Sequence, residues 1–137
     1  MNADIERQIS VAIENQPGRL GRVCRMLAER GIGISGFSVI DNVEQGMMRL
    51  VVDRPVDARD ALDAAGLPVV EAEVLTLEIA NGVGALAEIG ELMARAEINI
   101  EYAYTTCLEA GEATKLILKT ADAYAALAVL RKTGAAE

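Results

Sequence analysis

Two short segments combine residue types that can hold a small charged molecule against a backbone turn. They are Asn15-Gln16-Pro17-Gly18-Arg19-Leu20 and, at an offset of 66 residues, Asn81-Gly82-Val83-Gly84-Ala85-Leu86. An asparagine amide accepts from an ammonium group and donates to a carboxylate. Glycine permits close approach of a ligand to the main chain. Each segment precedes an apolar run of helical period, and the first amides of a helix are unpaired and carry partial positive charge, which suits a carboxylate. Structural roles compete with this reading: Asn15 and Asn81 also suit a helix cap or a turn, and Gly18 and Gly84 a backbone geometry. Arg19 stands in a first helical turn, an unfavourable place for a cation, so it either meets an anion or carries its charge outward on its long stem, and solvent is the favoured destination.

Chemistry elsewhere is sparse. The chain has no histidine for acid-base work, no G-x-S-x-G and no G-x-x-x-x-G-K-[ST] segment, and Ser35 and Ser38 have no evident base. Cys24 and Cys107 belong to no C-x-x-C pair and are expected as reduced thiols, with no metal site. Catalysis is therefore not expected, nor is a cofactor. Thirteen basic residues against 21 acidic ones leave a net charge of −8, which repels nucleic acid and anionic lipid alike. The rings Phe37, Tyr102, Tyr104 and Tyr124 have no basic run beside them on which bases would be held. No apolar run approaches the roughly 18 residues of a membrane span, so a cytoplasmic protein without nucleic-acid or membrane partners is expected.

The 66-residue offset extends far beyond the two loops. Ile13, Leu20, Val23, Leu27, Ile32 and Ile34 fall on Ile79, Leu86, Ile89, Met93, Ile98 and Ile100, and Arg49-Leu50-Val51-Val52 falls on Lys115-Leu116-Ile117-Leu118. A self-match this long predicts two equivalent structural units. Ile9, Val11 and Ile13 alternate with polar or small residues, the period of a half-buried strand, and Leu20, Val23, Met26 and Leu27 recur at helical spacing over 18–30 before Gly31. Strands follow at 33–41 and 47–53 across a polar hairpin, then a helix from Val56 to Ala65 ended by Gly66, then an extended run over 69–79. The second half repeats the order with a helix at 84–96, strands at 98–107 and 113–119, and a helix at 122–132.

This reads as α+β: two ferredoxin-like βαββαβ units with antiparallel sheets and helices on one face, covering 1–68 and 69–137. The second unit lacks a final strand of its own. Under the offset, Ala3 to Arg7 correspond to Val69 to Glu73, so residues 3–7 are expected to complete unit two.

Two such units, each with a strand leading into Asn-x-x-Gly-x-Leu and a helix, resemble the ACT domain family. The first copy, Glu14-Asn15-Gln16-Pro17-Gly18-Arg19-Leu20 with Gly31-Ile32-Gly33-Ile34, is close to the family pattern. The second copy has lost the proline, and Glu97 replaces the glycine after the helix. The resemblance implies regulatory binding of an amino acid or similar metabolite between paired units, with the loop before the first helix touching the ligand. Pairing would set that loop of one unit beside the second strand of the other, which makes Ile34, Ser35, Gly36 and Phe37, or Ile100, Glu101, Tyr102 and Ala103, the expected walls. Tyr102 and Tyr104 share a sheet face by period two and suit either a pocket or a subunit interface. A homodimer is expected. The resemblance also allows a non-catalytic regulatory subunit or oligomerisation module of an amino-acid biosynthetic enzyme, acetolactate synthase being one such enzyme; which amino acid binds, and whether both loops bind, the residues leave open.

Overall fold

The structure is a computed structural model, and it describes residues 2–41, 45–80, 84–109 and 113–134. Ten elements follow in the order β1 (Ala3–Glu14), α1 (Arg19–Glu29), β2 (Ile34–Asp41), β3 (Gln45–Val52), α2 (Pro55–Ala64), β4 (Val69–Ala80), α3 (Ala85–Arg95), β5 (Ile100–Glu109), β6 (Ala113–Thr120) and α4 (Ala123–Lys132). The βαββαβ order expected from the periodicities is present twice, in antiparallel sheets. The expected turn over Asn42 to Glu44 lies outside the described residues.

By compactness the chain divides into residues 7–72 and residues 1–6 with 73–137. Both boundaries fall inside strands: β1 changes unit after Glu6, and β4 after Ala72. Within residues 7–72 the strand order is β2-β3-β1-β4, and within the other unit it is β1-β4-β6-β5. Each is the ferredoxin-like arrangement, with the unit's last strand beside its first.

The short N-terminal segment is bound to its unit by several groups. The amide of Glu78 donates to the carbonyl of Asn2 at 2.8 Å, and the Thr76 hydroxyl donates to the carbonyl of Asp4 at 3.4 Å. One partner number falls as the other rises, so the pairing is antiparallel. Ala3 and Ile5 pack against the unit's core, and the Lys115 ammonium meets Glu6 at 3.0 Å.

Alternation in the strands sets one face of each sheet against its helices. In residues 7–72, Ile9, Val11 and Ile13 of β1 and Met48, Leu50 and Val52 of β3 meet Val23 and Leu27 of α1 and Ala58 and Leu62 of α2. In the other unit, Leu75, Leu77 and Ile79 of β4 with Leu116 and Leu118 of β6 meet Ile89, Leu92 and Met93 of α3 and Leu127 and Leu130 of α4. Burying a side chain of this size contributes about 1.5–3 kcal/mol. These two aliphatic cores therefore hold the helix starts in place.

Helix ends follow local rules. Gly31 and Gly66 end α1 and α2 with φ of 67° and 79°, and Ile32 and Leu67 donate back to the carbonyls of Leu27 and Leu62 at 3.0 and 2.9 Å, the Schellman closure. After α3 the same closure is made with Glu97 at φ 57°, the one non-glycine residue with positive φ among the described residues, and Ile98 donates to Met93 at 2.9 Å. A side chain in this conformation is strained by the approach of Cβ to the carbonyl.

Candidate functional site

The segment before α1 leaves β1 at Glu14, turns, and enters the helix through Gly18. Gly18 has φ 87° and is the N-cap of α1, with no side chain accepting from the first amides. An added Cβ at Gly18 would meet nothing within 4 Å, so glycine is required by backbone conformation and not by crowding. Asn15 lies three residues before this cap, so of its two structural readings the helix cap does not apply. The first turn contains no acidic residue, which leaves the positive end of the helix without an internal counter-charge.

A hollow of about 250 Å³ opens beside this turn. Asn15, Gln16, Arg19 and Leu20 line it together with Glu14 and, from β2, Val39. Drug-sized ligands occupy pockets of roughly 300–1,000 Å³, so this one suits a smaller molecule. A second hollow of about 290 Å³ lies against the same helix start, between Glu14, Arg19 and Arg22 on one side and Gly66, Leu67 and Pro68 on the other.

Arg19 does not run free into solvent as its position in the first turn suggests. Its Nη2 donates to Glu14 Oε2 and to Gln16 Oε1, each at 3.2 Å, and the residue is half-buried. The carboxylate offsets the repulsion between a cation and the helix N-terminus. An ion pair this accessible contributes little to stability, about 0–1 kcal/mol, so an incoming anion can compete for the guanidinium.

Within the unit itself, strand register sets where the β2 residues stand. Ile34 pairs with Val52 and Gly36 with Val51, so Ser35 sits at a bulge, and its hydroxyl donates to the carbonyl of Val51 at 3.2 Å. Beyond the bulge, Phe37 and Val39 register with Leu50 and Met48, whose side chains enter the core beneath the helices. Phe37 therefore shares that face and is 55% exposed, while Val39, two residues nearer the hairpin, reaches the hollow. Pro17 is exposed in the turn. Glu14 adjoins the loop in sequence, which is the signal for its place in the hollow, whereas Val39 arrives there through strand register, for which the sequence carries none.

In the other unit Gly84 repeats the backbone of Gly18, with φ 90° at the N-cap of α3 and no side-chain cap. Ala85 packs on the core and Leu86 is 57% exposed. Asn81 and Gly82 lie outside the described residues. Glu88 in the first turn supplies the anionic group that α1 lacks. Glu101 stands at the far end of α3 from Gly84, an 11-residue helix of about 16 Å, where it meets Lys119 at 3.1 Å and shares a hollow with Glu97 and Asp122. Tyr102 and Tyr104 register with Lys119 and Ile117, which alternate with the core-facing Leu116 and Leu118, so both rings lie on the face opposite the helices. Among the described residues, no group of acidic and cysteine side chains is arranged to hold a metal ion, and no helix is long and apolar enough to cross a membrane.

Comparison with known proteins agrees with this architecture. Residues 5–133 match the family described as an ACT domain pair. The solved structure of protein BT0572 from Bacteroides thetaiotaomicron is 26% identical, with 98% of this chain and 92% of that one covered at a TM-score of 0.88. The ligand-free regulatory subunit of aspartate kinase from Thermus thermophilus is 23% identical, with 96% and 97% covered at a TM-score of 0.72, and that from Thermus flavus is 24% identical, with 96% of each covered at 0.66. No curated protein matches the chain.

Proposed function

Because this chain belongs to the family of ACT domain pairs, we propose that it is a regulatory, non-catalytic protein that binds an amino acid in the hollow before α1. The observation that carries the reading is the pairing of opposite charges around an uncapped helix start. An α-amino acid bears a carboxylate and an ammonium two bonds apart. The carboxylate would lie at the Leu20 and Gly21 amides and beside the Arg19 guanidinium, the Arg19 amide itself donating to the Gln16 carbonyl at 3.4 Å, while Glu14 and the Asn15 carbonyl receive the ammonium. Leu20 and Val39 are then left for the side chain. The open side of the hollow is closed by a paired ACT unit, and binding favours the arrangement in which both units contribute, so the ligand shifts a conformational equilibrium that a partner reads. A cytoplasmic setting fits a free amino acid as ligand.

Thermal unfolding in the presence of each of the twenty amino acids tests the reading. A ligand at a hundred times its dissociation constant stabilises by about 2.7 kcal/mol, so at least one amino acid is expected to raise the melting temperature by several degrees. Asn15→Ala should abolish most of that rise while the melting temperature without ligand stays within a degree or two of the parent. A flat response to all twenty, or an Asn15→Ala protein that melts lower with affinity unchanged, would defeat the proposal.

One observation favours a second reading. The two Thermus chains, which are named regulatory subunits of aspartate kinase, are covered over nearly their whole length. That likeness supports, as the second reading, a regulatory subunit or oligomerisation module of an amino-acid biosynthetic enzyme, of the aspartate kinase or the acetolactate synthase kind. The same amino-acid series carried out with and without that enzyme separates the two readings, since a pure subunit responds only in its presence.

A further inference from the structure

The row of side chains that β3 sends toward the helices stops one place short of the strand's end. Val52, Leu50 and Met48 are buried in the core of residues 7–72, and the alternation that places them there brings Gly46 next, where no side chain follows. Gly46 is paired on both sides, with Ile13 of β1 and with Asp41 of β2. Its backbone does not require glycine. Its φ lies outside the left-handed region, and a Cβ built on it would stand 3.4 Å from Ile13 Cγ1 and 3.5 Å from the Ile40 carbonyl oxygen, which are ordinary contact distances. Glycine inside a strand lowers stability for want of packing, and where neither φ nor crowding demands it, it marks a place that something else approaches closely.

That place is the hollow before α1, which Gly46 lines. Ile13 and Val39 line it from the neighbouring strands, on the same helix-facing side as Gly46, and Leu20 lines it from α1. Its charged lining groups are Glu14 and Arg19, which pair with each other at 3.2 Å. Building on the effector reading above, we infer that the hollow selects an aliphatic amino acid, valine, leucine or isoleucine, whose side chain lies over Gly46 and completes the row that ends at Met48. Glu14 and Arg19 are then engaged by the ligand's ammonium and carboxylate, so a lysine or aspartate side chain at the same place would give up water with no opposite charge to meet. A threonine hydroxyl would likewise face the hydrocarbon of Ile13, Leu20 and Val39. Each methylene that finds apolar contact in such a pocket strengthens binding by about tenfold or more. Gly46 and Val39 are thereby specificity-determining residues, the first by leaving room and the second by supplying the wall.

Isothermal titration of the full chain with each of the twenty amino acids is the experiment, with circular dichroism to verify folding of each variant. Valine, leucine or isoleucine should bind at least about tenfold more tightly than lysine, aspartate or threonine. G46A places a methyl group on the floor of the hollow: the free protein should melt at the same temperature or higher, and the best aliphatic ligand should bind about tenfold more weakly, while alanine, which does not reach the floor, changes less. V39S alters a wall residue that is 43% exposed and whose loss the fold tolerates, and it should weaken the aliphatic ligand in the same direction. Tightest binding of a charged, hydroxylated or aromatic amino acid would overturn this inference alone, as would G46A and V39S proteins that hold the aliphatic ligand as tightly as the parent. No binding of any of the twenty would defeat the effector reading and this inference together.

Discussion

The starts of α1 and α3 descend from one duplicated segment, and they differ in what surrounds a glycine of the same conformation. Gly18 and Gly84 have φ of 87° and 90°, and neither helix is capped by a side chain. Around the first, the helix start has no acid in its opening turn, and Arg19 is held loosely across the mouth by Glu14 and Gln16. Around the second, Glu88 occupies the first turn and already offsets the partial positive charge. An anionic group therefore gains more at α1 than at α3. The duplication kept the conformation that glycine alone permits and released the side chains to diverge. Helix α4 shows the third possibility, closing its own start with Asp122, which accepts from Tyr124 and Ala125 at 3.0 and 3.2 Å and so leaves no vacancy for a ligand.

The comparison can be broken most severely at the segment that only one unit borrows from the far end of the chain. Deleting residues 1–6 removes the strand beside β4 together with the packing of Ala3 and Ile5 and the Glu6 partner of Lys115. The expected loss is about 3 kcal/mol or more, concentrated in residues 73–134, and hydrogen exchange read unit by unit should find residues 7–72 much less affected. Equal loosening of both units would contradict this account. A smaller effect is expected from Gly18→Ala and Gly84→Ala, each lowering stability by about 1–2 kcal/mol through the left-handed backbone alone, since neither added methyl meets a neighbour. The first should also weaken amino-acid binding. Denaturant unfolding of the two variants side by side measures the match. The smallest change sharpens the comparison in the other direction: Glu97→Gly should stabilise by roughly 0.5–1 kcal/mol, because it restores at the end of α3 the residue that Gly31 provides at the end of α1. A lower melting temperature for Glu97→Gly would mean that the Glu97 side chain contributes more than its strained backbone costs.

Much of this molecule was legible before any coordinates. The doubled element order, the helix carried by Leu20, Val23 and Leu27, and the glycine turns all depend on interactions among residues close in sequence, and hydrophobic period and φ preference report those directly. The loss of glycine at position 97 was likewise visible, and the structure shows its consequence in φ 57°.

Other features depended on residues that meet only after folding. The bulge at Ser35 reverses which residues of β2 face the helices, and it is a matter of register against β3 that no pattern within β2 records. Val39 therefore enters the hollow, while Ser35 is turned to the Val51 carbonyl and Glu101 stands a helix length away from Gly84. Sequence alone determined that two similar units form and where their glycine turns lie, because backbone preference and periodicity are local. Tertiary structure alone decided which side chains surround those turns, because strand register and the pairing of residues 72 or more positions apart, such as Asp4 and Thr76, arise only when the chain closes on itself.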